Sequence, residues 1–325
     1  MVTILLFILG LAILTGGAEL LVRGASSLST RLGIPSLIVG LTVVAFGTSA
    51  PEMAVSIKSA LLGQADLAVG NVVGSNIFNI LFILGISAAI VPLSISRQLL
   101  RVDLYIMVAT ALVAWLLALN GTLGRFEGLL LFLGILAYVV LQIILARKEG
   151  STPADEQSVP LPRSAKAFAW DVALAVIGLV MLVYGARLFV DSSVTIARYF
   201  GISELVIGLT IVAAGTSMPE VAASVMASIR GHRDLAVGNV VGSNIFNILA
   251  VLGASAIVSP MGIAVSPSAL KFDFPIMLLV SLICIPIFIT GKEISRKEGL
   301  ALLSCYIGYT ALLILIATGR MTLPW

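Results

Sequence analysis

Long apolar runs separated by short polar breaks recur along the whole chain. About twenty apolar residues in a row suffice for a helix to cross a bilayer. Runs of that order predict helices near 2–22, 36–60, 67–91, 103–119, 126–145, 168–190, 204–229, 235–258, 273–290 and 299–318. The pattern therefore predicts an all-α membrane protein with ten transmembrane helices. The longest polar interruption, ARKEGSTPADEQSVPLPRSAK at 146–166, carries Pro, Ser and mixed charge, as linkers do. It divides the chain into 1–145, a linker at 146–167, and 168–325, with five predicted helices on each side.

Two of the predicted helices are interrupted in the same way. Residues 45–56 read AFGTSAPEMAVS and residues 213–224 read AAGTSMPEVAAS, each with a Pro and a Glu inside an apolar span. Adding 168 to each number aligns GLTVVAFGTSAPEMAVS (40–56) with GLTIVAAGTSMPEVAAS (208–224) without a gap. DLAVGNVVGSNIFNIL then occurs letter for letter at 66–81 and 234–249. The repeated segments span 40–92 and 208–260. Five crossings and a linker leave the second copy upside down relative to the first, so the expected architecture is two inverted five-helix repeats. Such pairs hold substrate near the bilayer midplane, between interrupted helices.

Composition agrees with lipid as the solvent: 59% of residues are hydrophobic and 11% charged, against about 45–50% and about 25% in soluble domains. Charge adds an orientation. No basic residue precedes the first apolar run, so it reads as a retained helix with its N-terminus outside. Alternation from there puts both termini outside and the central linker in the cytoplasm. The cytoplasmic connections then hold Arg23, Arg31, Arg97, Arg101, Arg147, Lys148, Arg163, Lys166, Arg230, Arg233, Lys292, Arg296 and Lys297, most of the 19 basic residues. The expected location is a cell membrane, crossed many times. A net charge of +3 reflects this bias, and no basic cluster with interleaved aromatics suggests nucleic acid. Cys284 and Cys305 lie apart within apolar runs and imply no disulfide.

A carboxylate in mid-membrane costs a few kcal/mol and adds nothing to apolar packing, so Glu52 and Glu220 imply function. Gly70, Gly74, Gly238 and Gly242 are spaced for close helix packing and need no other explanation. Pro51 and Pro219 lack the N–H that continues a helix, which predicts freed carbonyl oxygens around Gly47 and Gly215. Thr48 and Ser49 share a helix face with Glu52, as Thr216 and Ser217 do with Glu220. Asn71, Ser75 and Asn79 recur every four residues in the next span, as do Asn239, Ser243 and Asn247. Oxygen ligands without thiolate or imidazole suit Ca²⁺, Mg²⁺ or Na⁺. Two glutamates balance one divalent ion, and a flexible broken-helix site favours Ca²⁺ over Mg²⁺. No activated nucleophile or zinc motif is present, so an enzyme is not expected. No prosthetic group is expected either.

GTSAPE and GTSMPE, each followed by GNVVGSNIFN, resemble the two α-repeats of the cation/calcium antiporter superfamily, most closely its prokaryotic sodium/calcium exchangers. The resemblance implies an antiporter of Na⁺ and Ca²⁺ with four adjacent cation sites. It implies that Glu52 and Glu220 hold Ca²⁺ and contribute to Na⁺ binding, and that Ala45 and Ala213 offer carbonyls to Na⁺. It further implies Ca²⁺-binding carbonyls at Thr48 and Thr216, oxygens from Ser49, Ser75, Ser217 and Ser243, and a centre completed by Asn79 and Asn247. Three Na⁺ would exchange for one Ca²⁺, with the first and sixth spans sliding across the other eight. We expect the chain to function as a monomer. The alternative is a proton- or potassium-coupled antiporter of calcium or another divalent cation. Asn247 argues against potassium, because the potassium-dependent members carry Asp there, and the Gly-Asn-Ala-x-Glu pattern of the proton-coupled branch is absent.

Three lesser signals remain. Glu19 and Arg23 align with Arg187 and Asp191, an i,i+4 pair with its signs reversed. Asp66 and Asp234 are expected to cap the helices they begin. His232, the sole histidine, lies in a short basic loop and is not expected to bind ions.

Overall fold

The computed structural model describes residues 2–149 and 164–321, so most of the expected linker lies outside the described residues. The fold is helical apart from four two-residue strands. The helices are α1 (Val2–Leu32), α2 (Ser36–Thr48), α3 (Ala50–Leu61), α4 (Ala65–Ile90), α5 (Leu99–Ala118), α6 (Arg125–Arg147) and α7 (Ala165–Tyr199). They continue with α8 (204–215), α9 (Met218–Ile229), α10 (Arg233–Val258), α11 (Ala269–Ile289) and α12 (Arg296–Ala317). Among the described residues eight helices are long and apolar enough to cross a membrane, or nine if α2 and α3, bent by 45° at their junction, make one span. The stretch 204–229 is likewise broken, at Thr216 and Ser217, and its second half is a short apolar helix.

Helices α1 and α7 run well past the predicted ends at 22 and 190. The extra turns of α1 hold polar residues that find partners: Arg23 pairs with Glu19, and the Arg31 side chain, 8% exposed, meets the buried Asp171 at 2.7 Å. Helix α1 stops only where Gly33 takes a φ of +66°, a conformation that favours glycine. The two long helices lie at backbone contact. A Cβ on Gly17 would sit 2.8 Å from the Leu182 nitrogen, and one on Gly178 would sit 2.5 Å from that of Leu21. Small residues permit this approach, and α1 and α7 form one packed pair.

Helices α4 and α10, which carry the identical 16-residue runs, are largely buried within the bundle. Their starts correct one expectation. Gln64 and His232 occupy the cap positions without side-chain capping bonds, and Asp66 and Asp234 fall inside the first turn. An acid there complements the positive end of the helix dipole. π-helical turns occur as repeat-related pairs at 40–44 and 208–212, 79–84 and 247–252, and 99–103 and 269–273. Strand Leu93–Ser94 pairs antiparallel with Glu293–Ile294, and Thr122–Leu123 pairs with Ile263–Ala264.

Candidate ion-binding site

The two breaks are helix restarts. Helix α2 ends at Thr48, Ser49 takes φ −79° and ψ 4°, and α3 begins at Ala50 with Pro51 in its first turn. Pro219 has the same place in α9 after Ser217. A first-turn proline gives up an N–H that has no partner in the helix anyway. The expected freeing of carbonyls is therefore smaller than a mid-helix proline would give: the Ser49 N–H still donates to the Ala45 carbonyl at 3.0 Å. The Thr48 hydroxyl also lies against that carbonyl, at 3.4 Å. The restarts also put Glu52 and Glu220 in the first turns of α3 and α9, where helix dipoles favour negative charge.

Each carboxylate is held by the opposite repeat. Ser217 Oγ donates to Glu52 Oε1 at 2.8 Å, and Ser49 Oγ donates to Glu220 Oε1 at 3.2 Å. Ser217 Oγ also lies 3.2 Å from Ser75 Oγ. Thr48 Oγ1 reaches Asn239 Oδ1 at 3.1 Å, and Thr216 Oγ1 reaches Asn71 Oδ1 at 3.4 Å. Those two amides in turn donate to hydroxyls one helix away, Asn71 to Ser56 at 2.8 Å and Asn239 to Ser224 at 2.9 Å. Between α4 and α10, Asn79 Nδ2 donates to Asn244 Oδ1 at 3.0 Å and Asn247 Nδ2 to Asn76 Oδ1 at 3.1 Å. Asn76 Nδ2 also donates to the Asn244 carbonyl, 3.2 Å away. Each of these side-chain bonds between the two repeats, Ser217–Ser75 apart, has its counterpart 168 residues on.

Glu52, Glu220, Ser49, Ser75, Asn79, Thr48, Ser217, Ser243 and Asn247 are all buried. Glu52 Oε2, Glu220 Oε2, Asn79 Oδ1, Asn247 Oδ1 and Ser243 Oγ have no hydrogen-bond partner. Leaving a polar atom buried and unpaired costs about 1–3 kcal/mol. Four of these are acceptor-only oxygens, supplied in equal parts by the two repeats: one on each carboxylate, and one each on Asn79 and Asn247, whose amides already bond across the repeats. Two carboxylates with amide and hydroxyl oxygens fit Ca²⁺ or Na⁺. Among the described residues no group of three or more His, Cys, Asp or Glu side chains could hold a metal, which leaves no soft or acid-rich alternative.

The symmetry of this network fails around it. Ala45 is buried but Ala213 is exposed, and Thr48 is buried but Thr216 only half so. Helix α2 is pressed onto α10: a Cβ on Gly238 would lie 2.8 Å from the Leu37 carbonyl oxygen, and one on Gly242 would lie 2.7 Å from that of Leu41. Their counterparts Gly70 and Gly74 on α4 have nothing within 4 Å, nor has Gly208 on α8. The packing role expected for all four glycines holds for the second repeat and not for the first. Between α3, α7 and α8 a cavity of about 350 Å³ lies beside the site, lined among others by Pro51, Lys58, Arg187, Asp191, Gly215 and Thr216.

The family model described as sodium/calcium exchanger protein matches residues 2–144 and 170–315, leaving out only the middle and the C-terminal end. The chain belongs to the sodium/calcium exchanger family. Similar members include a putative antiporter, CaxA, from Alkalimonas amylolytica, 39% identical over 96% of this chain and 99% of its own. The sodium/calcium exchanger MaX1 of Methanosarcina acetivorans is 34% identical over 97% of this chain and 99% of its own. Among solved structures, the sodium-calcium exchanger NCX_Mj, soaked with 10 mM Na⁺ and no Ca²⁺, superposes with a TM-score of 0.81 at 28% identity, covering 97% of this chain and 98% of that one. The exchanger family thus makes this chain a cation/calcium antiporter of membranes.

Several residues of this exchanger's network were not among the predicted ligands. Asn76 and Asn244 tie the two central helices together, and Ser56 and Ser224 hold the outer amides. A signal existed for the first two: the identical run GSNIFN places two amides three residues apart on each central helix.

Proposed function

We propose that the chain exchanges Na⁺ for Ca²⁺ by alternating access, through a midplane site built around Glu52 and Glu220. The observation that carries this reading is the set of buried, unpaired oxygens on Glu52, Glu220, Asn79 and Asn247. Ca²⁺ would be held by the two carboxylates, with Thr48 and Thr216 adding carbonyls. Na⁺ ions, lower in charge, would share the carboxylates and use Ser49, Ser75, Ser217, Ser243 and the Ala45 and Ala213 carbonyls. Because both cations draw on the same carboxylates, they compete for the site, and competition is what couples their fluxes. No prosthetic group enters this scheme, and one chain holds the whole site.

The proposed architecture is ten crossings arranged as inverted repeats, 1–145 and 168–325, joined by a cytoplasmic linker. The two strand pairings support it. Connections 91–98 and 259–268 are repeat equivalents, and in an inverted pair they lie on opposite faces. The first then shares a face with the connection 290–295 and the second with 119–124, which are the partners each has. With both termini outside, the cavity by Lys58 and Arg187 opens outward and the tight α2–α10 contact closes the cytoplasmic side.

The test is uptake of radioactive Ca²⁺ into proteoliposomes. Uptake should require Na⁺ inside and should fail with K⁺ inside or with a pH gradient alone. Uptake driven by protons or K⁺ would replace sodium as the coupling ion. An absence of Ca²⁺ movement under every gradient would contradict the reading.

A further inference from the structure

Glu19, set aside above as half of a helical ion pair, makes a second contact that the sequence does not suggest. Its Oε2 accepts from Arg230 Nε at 2.7 Å while Arg23 holds Oε1. Arg230 is the C-cap of α9, so this pair ties the α1–α7 unit to the helix that carries Glu220. The bond lies on the face where α2 is closed against α10.

The repeat equivalents of Glu19 and Arg23 are Arg187 and Asp191 on α7, and the equivalent of Met226, one turn before Arg230, is Lys58 on α3. Arg187, Asp191 and Lys58 all line the open cavity, all are exposed, and none makes an ion pair among the described residues. One face thus has its charges clasped and α2 closed on α10; the other has its charges apart and Gly70 and Gly74 of α4 uncovered.

We infer that Glu19–Arg230 and Asp191–Lys58 are alternating ion-pair clasps that decide which face of the transporter is open. With Glu19 on Arg230, α1–α7 is held against α9 and the cavity beside α8 stays open. Sliding of the α1–α7 unit breaks that pair and brings Asp191 against Lys58, closing the cavity as the opposite face opens. The reversed signs have a consequence. Arg187, at the Glu19 position, faces Lys58 with like charge, so closure of the cavity leans on Asp191 alone, whereas Glu19 on the other face is held by two arginines. The first state is thereby favoured without ions. The inference rests on the antiport reading only in needing two states.

The test reads which face is open, not ion flux, so it fails or succeeds separately from the sodium/calcium assignment. Val212, half exposed and lining the cavity, is replaced by Cys in a chain with Cys284→Ala and Cys305→Ser, and its reaction with a membrane-impermeant maleimide is timed in proteoliposomes. Partly exposed ion pairs change such a balance by about two- to five-fold. Glu19→Gln and Arg230→Gln should each slow labelling by that factor, the double variant no further, and 1 M salt should shrink the difference. Lys58→Gln and Asp191→Asn should each speed it, again without adding. Arg230 is exposed at a helix end, so its variant tests the clasp even if Glu19→Gln misfolds. Labelling unchanged by either inner variant, or shifted in the same direction by inner and outer variants, would overturn the inference.

Discussion

The 16-residue runs at 66–81 and 234–249 are identical, yet an alanine at the same place in each should act in opposite ways. At Gly238 the new methyl would come within 2.8 Å of the Leu37 carbonyl oxygen and 3.2 Å of the Leu41 nitrogen. Both are backbone atoms, so no rotamer change relieves the clash and α2 must move. Overpacking of that kind costs about 1–3 kcal/mol. At Gly70 the methyl meets nothing within 4 Å, and the gain in helix propensity is about 0.8–1 kcal/mol. Thermal unfolding in detergent should therefore show Gly238→Ala below wild type and Gly70→Ala at or above it. Transport should tell a second story. When α8 closes on α4, Gly70 takes the place Gly238 has now, so Gly70→Ala should slow Ca²⁺ exchange while leaving the protein as stable as before. Equal stability losses in both variants, or full exchange by Gly70→Ala, would refute the claim that the same glycine is packed on one face and waiting on the other.

Other consequences follow from single contacts. Ser217→Ala removes the 2.8 Å bond that orients Glu52; a bond to a charged group is worth about 1.5–3 kcal/mol, so Ca²⁺ binding measured by calorimetry should weaken tenfold or more. Ser49→Ala, with a 3.2 Å bond to Glu220, should cost less. Asp171→Asn leaves the Arg31 side chain short of its counter-charge and should destabilise by about 3 kcal/mol, seen as a lower melting temperature, with Arg31→Met in the same chain recovering much of the loss. Half-burial lowers the pKa of His232 below its ordinary 6.5, with Glu19 opposing. The folded chain then binds this proton less readily than the unfolded one, so the His232 contribution to stability is present above pH 6.5 and lost as pH falls from there through the lowered folded-state value. Melting curves from pH 7.5 to 5 should fall more for wild type than for His232→Gln, and parallel curves would remove the group from the account.

Much of the site was legible because its chemistry is expensive. Carboxylates and prolines in apolar spans are rare, and their duplication with one offset exposed the repeat, the broken helices and most of the oxygen set. The end of α1 was not legible, since Arg23 and Arg31 read as loop charges until their partners, one of them 140 residues away, are known. Pro51 and Pro219 free fewer carbonyls than their place in an apolar run suggests, because the helices restart just before them and put both in first turns. Nor could identical letters reveal that Gly70 and Gly238 have different neighbours.

The unpaired oxygens of Glu52 and Glu220 are proposed to form one cation site shared by Ca²⁺ and Na⁺. Its most direct measurement is equilibrium Ca²⁺ binding to the purified protein, titrated with NaCl against KCl, for the wild type, Glu52→Gln and Glu220→Gln. One Ca²⁺ per chain should bind, displaced by Na⁺ and not by K⁺, with binding lost in each variant. Ca²⁺ bound equally well by both variants, or retained at saturating Na⁺, would contradict it.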